Sequence, residues 1–262
     1  MKLPIYQVDA FTDRLFAGNP AAICPLESWL PDATMQSIAA ENNLAETAFF
    51  VREGDGFLLR WFTPMVEVDL CGHATLASAY VIFQILEPSR TSVAFRTLKA
   101  GTLTVTRDGD VLSMDFPARA PLPTATPPGL IEALGGPTPL DVLIARDHVL
   151  VYEREADVVA LEPNFAALAK LPCWGVIATA PGEGHVDFVS RFFAPSQGID
   201  EDPVTGSAHC ELTPYWADRL GVMRLEARQI SKRGGALTCT LKGDRVILAG
   251  KAVLYLEGTI TV

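Results

Sequence analysis

Histidine, cysteine and positive charge are scarce in this chain of 262 residues. It has four histidines and five cysteines, and 21 lysines and arginines stand against 31 aspartates and glutamates, giving a net charge of −10. Because nucleic acids and anionic membranes are bound through basic surfaces, this deficit argues against both as partners. An anionic small molecule would have to be held by local features such as helix ends.

Long apolar runs and common catalytic motifs are also absent. The longest apolar stretch, Ala74 to Leu86, is interrupted by Gln84 and is too short to span a bilayer. The opening MKLPIYQVDAF lacks the apolar core of a secretion signal. The odd, widely spread cysteines favour free thiols, so we expect a cytoplasmic protein. No GxGxxG, P-loop or GxSxG motif is present.

Short β-branched and aromatic runs, separated by Gly, Asp and Pro, make up most of the chain and predict strands. Hairpin turns are predicted at 53–56, 107–110 and 242–245. Few segments favour helices: one that Asp32 would N-cap and that ends near Asn43, one over 72–86, one over 206–220, and a short one after Asn164.

The two halves of the chain repeat one pattern. Arg60-Trp-Phe-Thr-Pro64 resembles Arg191-Phe-Phe-Ala-Pro195, and each is followed by an acidic loop, a glycine and an apolar helix. The proline-rich stretch 117–139 separates the halves, so we predict domains at 1–118 and 119–262, with the last strand able to pack on the first domain. The predicted fold is α+β: two pseudo-symmetric α/β rolls, each a mostly antiparallel sheet around a central helix, with a ligand cleft between them.

The two loop-to-helix junctions are the first candidates for a ligand site. Gly72 and Gly206 each start a predicted buried helix, where free N–H groups and the helix dipole favour an anion such as a small carboxylate. The alternative is that both glycines only permit tight turns. His73 and Ser207 follow them and are predicted to point at the ligand, and the dipole is expected to lower the pKa of His73; otherwise His73 is a structural residue.

Two acidic residues are the candidates for proton transfer. Glu46 starts a strand that is apolar on both faces, and period-two alternation places it on the face of Ala48 and Phe50. A desolvated carboxylate there suits general acid/base catalysis, although a solvated residue at a strand start is the alternative. Asp202 supplies an acid from the second junction. One carboxylate per domain could move a proton between two positions of one substrate.

A metal site is the weaker interpretation. Cys71 and His73 could combine with His209 and Cys210, but neither CxxC nor HExxH spacing is present. We therefore expect no metal.

Several long motifs resemble those of one family. They are Gln7-Val-Asp-Ala-Phe11, Gly18-Asn-Pro20, Asn43-Leu-Ala-Glu46-Thr-Ala-Phe, Leu70-Cys-Gly-His-Ala-Thr-Leu-Ala77, Asp200-Glu-Asp-Pro-Val-Thr-Gly-Ser-Ala-His209 and Ser231-Lys-Arg-Gly-Gly235. The chain resembles the PhzF-like phenazine-biosynthesis isomerases nearly end to end. The resemblance implies the diaminopimelate-epimerase fold, a homodimer, and cofactor-free proton transfer like that of trans-2,3-dihydro-3-hydroxyanthranilate isomerase.

The resemblance also implies roles for the residues. Glu46 would take and return the substrate proton, His73, Asp202 and Ser207 would complete the polar cleft, and the Gly72 and Gly206 amides would hold the substrate carboxylate. Related epimerases use two opposed cysteines, whereas here Cys71 fills the first position and Thr205 the second, which disfavours a two-thiol racemase. The alternatives are an epimerase-type relative and a binding protein for a small carboxylate that has no catalytic activity.

Overall fold

A computed structural model describes residues 1–262, and the chain divides into two units: Met1–Asp115 with Ala249–Val262, and Phe116–Leu248. In chain order the elements are β1 (Lys2–Ala10), β2 (Asn19–Leu26), α1 (Asp32–Asn42), β3 (Glu46–Glu53), β4 (Gly56–Phe62), β5 (Glu67–Val68), α2 (Gly72–Val81), β6 (Ser92–Arg96), β7 (Thr102–Asp108), β8 (Val111–Pro117), β9 (Leu122–Pro123), α3 (Leu130–Leu134), β10 (Asp141–Ile144), β11 (His148–Val151), α4 (Glu155–Val159), α5 (Phe165–Leu168), β12 (Val176–Pro181), β13 (Phe188–Ala194), β14 (Ile199–Asp202), α6 (Gly206–Leu220), β15 (Arg224–Gln229), β16 (Gly235–Lys242), β17 (Arg245–Gly250) and β18 (Ala252–Thr261). The units divide after residue 115, whereas the sequence predicted a boundary after residue 118. The last strand belongs to the first unit because β18 pairs along its length with β1.

None of the helices has the length and apolarity needed to cross a bilayer.

The two units repeat one pairing scheme. In the first unit, β1 and β2 are antiparallel, β2 and β3 are parallel, and β3 and β4 are antiparallel. Strand β4 then pairs with β5 in the antiparallel sense and with β6 in the parallel sense, and β6 and β7 are antiparallel. In the second, strands β10 to β16 pair in the same senses and the same order. The α+β fold predicted from the repeated sequence pattern is therefore correct.

The repeated arginines hold equivalent places in the two units. Arg60 on β4 makes a two-point contact with Glu67, at 2.7 Å through Nε and 2.8 Å through a terminal nitrogen. Arg191 on β13 makes the same contact with Glu201, at 2.7 and 3.0 Å. Each contact ties a strand to the short strand that follows it, and bidentate arginine–carboxylate pairs are strong and directional. The short sequence repeat therefore encodes a structural brace before each helix.

Helix α2 is buried on almost every side, as its run of small and apolar residues predicts. It packs against β1, β2 and β3 of its own unit. Its serine and threonine hydroxyls bond to backbone one turn earlier, since Thr75 and Ser78 donate to the carbonyls of Cys71 and Ala74 at 2.6 and 2.7 Å. The predicted helix over 72–86 is α-helical to Val81 and continues as a π-helical turn, Ile82–Leu86.

Helix α6 of the second unit spans 206–220 as predicted and ends at Gly221, which is left-handed at φ 71°. Pro214 lies inside it and cannot donate to the carbonyl of Cys210. The Arg119 backbone N–H donates to that carbonyl instead, at 3.0 Å. The chain just after the unit boundary therefore supplies the hydrogen bond that the proline removes.

The two smaller predicted helices had different outcomes. The one after Asn164 is confirmed, with the Asn164 side chain accepting from the Ala167 N–H. The N-cap prediction for Asp32 is wrong. Pro31 holds the N-cap position of α1, and the Asp32 carboxylate, in the first turn, accepts from Arg60 at 2.8 Å. The arginine charge attracts this carboxylate away from the helix N–H groups.

Candidate active site

Four polar residues of the first unit meet where two parallel strands begin. Asn19 and Glu46 are the first residues of β2 and β3, and parallel pairing places Ala21 opposite Glu46. The parallel register brings both side chains to the same end of the sheet. His73, in the first turn of α2, and Cys71, just before that helix, complete the group.

The contacts in this cluster centre on the His73 ring. Its Nε2 lies 3.1 Å from Oε2 of Glu46, and its Nδ1 lies 3.1 Å from Nδ2 of Asn19. The Cys71 sulfur lies 3.5 Å from the same Nδ1. Both ring nitrogens therefore have polar partners, and one of these is a carboxylate.

The cluster is shielded from water. Exposed fractions are 9% for Glu46, 6% for His73, 6% for Cys71 and 0% for Asn19. Glu46 begins a run of five buried residues in β3, so the sequence prediction that its strand is buried is confirmed, and the solvated alternative is wrong. Charges interact strongly in such an environment because little water screens them.

The ionisation of His73 is opposite to the sequence expectation. Burial by itself lowers the pKa of His73, but Cys71 and Glu46 outweigh it and raise the pKa well above the usual value. The helix dipole was expected to keep the ring neutral, and the acidic groups in direct contact with it, Cys71 and Glu46, are the stronger influence. For Cys71, burial and the Glu46 charge raise the thiol pKa to about 11, despite an opposing contribution from His73.

The same groups form a possible ligand set for a metal. Donor atoms of Glu46, Cys71 and His73 all lie within 4.8 Å of one another. This set differs from the one considered from the sequence, because it includes Glu46. A thiol with a raised pKa is a weak ligand until a metal displaces its proton.

In the second unit, Asp202 forms hydrogen bonds with Thr205 and Gln229. The Thr205 hydroxyl donates to Oδ2 of Asp202 at 2.5 Å. Gln229 Nε2 donates to Thr205 Oγ1 at 3.1 Å and to the Asp202 carbonyl at 2.7 Å, and Gln229 Oε1 accepts from the Thr205 N–H at 2.8 Å. Because Thr205 Oγ1 accepts from Gln229, its own proton is directed to Asp202.

The other predicted residues of this junction are in different environments. Gly206 and Ser207 open α6 and are half-buried. His209, one turn after Thr205, donates from Nδ1 to the Thr205 carbonyl at 2.8 Å, and burial lowers its pKa to about 4. His209 is thus a neutral core residue bonded to its own helix.

Asn19, Thr205 and Gln229 were not predicted as functional residues from their own chemistry. Asn19 lies in the motif Gly18-Asn-Pro20, which was noticed only as part of the family resemblance. Gln229 lies at the end of β15, far along the chain from Asp202, and no local pattern marks it. Such residues are found only when the tertiary contacts are known.

The second unit also buries two acidic residues that were not among the predicted site residues. Asp147 and Glu211 are both 0% exposed, and the Asp147 N–H lies 3.4 Å from a Glu211 carboxylate oxygen. Burial and the neighbouring acid raise the pKa of Glu211, and burial raises that of Asp147. Both shifts favour the protonated form of the pair.

Comparison with known proteins agrees with this architecture. A family model described as phenazine biosynthesis-like protein matches residues 8–258. An uncharacterized isomerase of Pseudomonas aeruginosa is 55% identical over 261 residues, which cover 99% of each chain. A PhzF-family phenazine biosynthesis protein from Enterococcus faecalis has a crystal structure with a TM-score of 0.96 at 47% identity, covering 100% of each chain.

A more distant structural match extends to the epimerases. A hydroxyproline epimerase from Agrobacterium vitis matches 99% of this chain and 92% of its own with a TM-score of 0.61, at 12% identity. At that identity the likeness concerns the fold alone. The chain belongs to the PhzF family of phenazine biosynthesis-like proteins, and it has the α+β fold that this family shares with epimerases.

Proposed function

We propose that this protein is a cofactor-independent isomerase that moves a proton within a small carboxylate substrate, with Glu46 as the acid/base group. The observation that carries the proposal is the buried contact of 3.1 Å between Oε2 of Glu46 and Nε2 of His73. A carboxylate in a shielded site, paired with a group that can carry positive charge, is suited to taking up and returning a proton. The isomerase name of the Pseudomonas relative is consistent with this.

The reaction needs only the transfer of one proton. A Glu46 carboxylate oxygen removes a proton from a substrate carbon, and the electron pair of the broken C–H bond enters the neighbouring conjugated system. The protonated Glu46 then returns the proton to another carbon, which restores the carboxylate and gives the isomer. His73, as the imidazolium that its raised pKa favours, stabilises the charged forms of this cycle.

Asp202 is proposed as the second catalytic carboxylate, which can take the place of Glu46 at one of the two substrate positions between which the proton moves. Gly72, Gly206 and Ser207 are proposed as the groups that bind the substrate carboxylate. The Thr205 hydroxyl fixes one oxygen of Asp202, so the other keeps a defined direction. Each glycine opens a helix of at least ten residues, whose first N–H groups favour an anion.

The substrate proposed from the family resemblance is trans-2,3-dihydro-3-hydroxyanthranilate or a related small carboxylate. A homodimer is also proposed from that resemblance. An epimerase that uses two thiols is disfavoured because Thr205 holds the position of the second cysteine. The pKa of Cys71, about 11, further limits its use as a base.

The test is turnover in deuterated water. We expect the protein to isomerise dihydro-hydroxyanthranilate, and deuterium to enter the product when the proton held by Glu46 exchanges with solvent before it is returned. Mass spectrometry and NMR follow both. Glu46→Gln is expected to lower kcat by about a hundredfold or more, since it removes the group that carries the proton. Glu53→Gln, at the exposed other end of β3, is the matched control and should retain full activity.

Three outcomes would change the proposal. Full activity of Glu46→Gln would remove the role of Glu46. Tight binding of the carboxylate with neither isomerisation nor isotope exchange would favour a binding protein. Elemental analysis showing a stoichiometric metal in the purified protein, lost together with activity on chelation, would assign the Glu46, Cys71 and His73 set to a metal instead.

A further inference from the structure

The backbone before Asn19 allows little variation, and this fixes where Asn19 lies. Gly18 precedes it at φ 67°, and a Cβ on Gly18 would lie 2.2 Å from the Ala10 carbonyl oxygen. Only glycine fits there. The turn between β1 and β2 therefore delivers Asn19 to the start of β2 without a side chain in the way, and Asn19 is 0% exposed.

The contact of Asn19 with His73 determines where the ring proton lies. Asn19 Nδ2, a donor, lies 3.1 Å from His73 Nδ1. When Nδ1 accepts this hydrogen bond, a neutral ring must carry its single proton on Nε2, which faces Glu46 at 3.1 Å. The ring then does not have to rotate to pass or share a proton with the carboxylate.

An amide can also serve the charged ring. The imidazolium carries protons on both nitrogens, and a half-turn of the Asn19 amide presents its oxygen to the Nδ1–H. A leucine in this position could do neither, and an aspartate could only accept. Asparagine is thus suited to a histidine that changes its charge while buried.

We propose that Asn19 is a positioning residue that holds His73 in both charge states and directs the proton of the neutral ring to Glu46. This role rests on the proposed function, because it serves proton transfer through Glu46. Its action passes through His73, and the charged or titratable groups that face that ring are Glu46 from β3 and Cys71 from the start of α2.

The test is ¹⁵N NMR of the resting protein labelled at histidine, titrated with pH, with the His73 signals assigned from their loss in His73→Gln. We expect the neutral ring to carry its proton on Nε2. Asn19→Asp should raise the His73 titration midpoint by about one to three pH units, since it adds a carboxylate beside Nδ1. It should also displace the pH profile of kcat in the same direction, with little change in KM. Asn19→Leu should give a mixture of the two tautomers.

Asn42→Asp is the matched control. It makes the same chemical change in the first unit, at a residue whose amide donates to Thr47 Oγ1 at 3.1 Å rather than to His73. A neutral His73 ring that carries its proton on Nδ1 in the unmodified protein would overturn the proposal, as would equal midpoints in Asn19→Asp and Asn42→Asp. The unmodified protein alone decides the tautomer, even if a variant fails to fold. The NMR readout does not need turnover, so it separates this inference from failure of the proposed isomerase activity.

Discussion

The pKa values of two buried histidines are shifted in opposite directions, and the immediate neighbours of each histidine explain the difference. The pKa of His73 is raised beside Glu46 and Cys71, whereas burial lowers the pKa of His209 to about 4. His209 contacts a backbone carbonyl, which cannot compensate for burying a positive charge as a carboxylate does. The first histidine is therefore suited to a charged role and the second to packing.

The buried pair of Asp147 and Glu211 gives a residue-scale prediction on stability. Burial and Asp147 raise the pKa of Glu211 to about 8, while the unfolded chain releases this proton near 4.5. Between these values the folded state binds more protons, so the free energy of unfolding should fall as pH rises from about 4.5 to about 8. Glu211→Gln should remove this fall and be the more stable protein at pH 9, by about 1 kcal/mol or more.

Chemical denaturation at pH 6 and pH 9 measures this effect. Exposed Glu183→Gln in the same unit serves as the control and should keep the pH dependence of the unmodified protein. The raised pKa of His73 also makes the free energy of unfolding fall as pH rises, because the stability that its imidazolium contributes is lost at high pH. His73 is present in all these proteins, so the difference reports on Glu211. If the free energy of unfolding of Glu211→Gln fell with pH as steeply as that of the unmodified protein, the prediction would be contradicted.

At the scale of elements, the turn before β2 is the most constrained connection to the candidate site. Gly18→Ala should lower the free energy of unfolding by about 2 kcal/mol or more, because the added methyl meets the Ala10 carbonyl and φ is positive. It should also lower activity by displacing Asn19.

Gly54→Ala is the comparison for the Gly18 prediction. Gly54 has φ 56°, but an added Cβ would meet nothing within 4 Å. Gly54→Ala should lower the free energy of unfolding by only about 1 kcal/mol, which is the strain of the left-handed backbone, and should retain activity. Thermal or chemical unfolding of both variants checks this, and equal losses would show that crowding at Gly18 is unimportant.

The pairs Arg60–Glu67 and Arg191–Glu201 illustrate a different element-scale feature. Each pair joins a strand to the short strand that follows it, and each stands just before a helix that opens with glycine. Because both arginine partners come from within one unit, each unit can form its brace independently. This is what a duplicated folding unit requires.

At the scale of the whole molecule, the net charge of −10 bears on the approach of an anionic substrate. The summed field repels such a substrate, and salt screens this repulsion over about 10 Å at 0.1 M. We therefore expect kcat/KM to increase by about twofold between 10 and 150 mM salt. Initial-rate measurements in sodium chloride, repeated in choline chloride to exclude a sodium effect, check this. A decrease with salt would mean that a local positive field outweighs the overall charge.

Local sequence patterns predicted much of the architecture. Alternating and β-branched runs predicted the strands, and the glycines at 72 and 206 predicted where α2 and α6 begin, because helix starts and turns depend on nearby residues. The repeated arginine motif predicted the duplication. Asp32 is the counterexample: its side chain turned to Arg60, a residue distant in sequence, so a local capping rule failed.

For the candidate site, too, sequence predicted some features and tertiary structure decided the others. Sequence by itself proposed Glu46 and His73 as candidate site residues, since their residue types and their places near element starts are local properties. Tertiary structure alone decided that they touch, that Asn19 and Cys71 join them, that the pKa of His73 is raised, and that Gln229 orients Thr205 on Asp202. Ionisation and hydrogen bonding depend on distances of a few ångströms between residues far apart in the chain, and only the packed fold sets those distances.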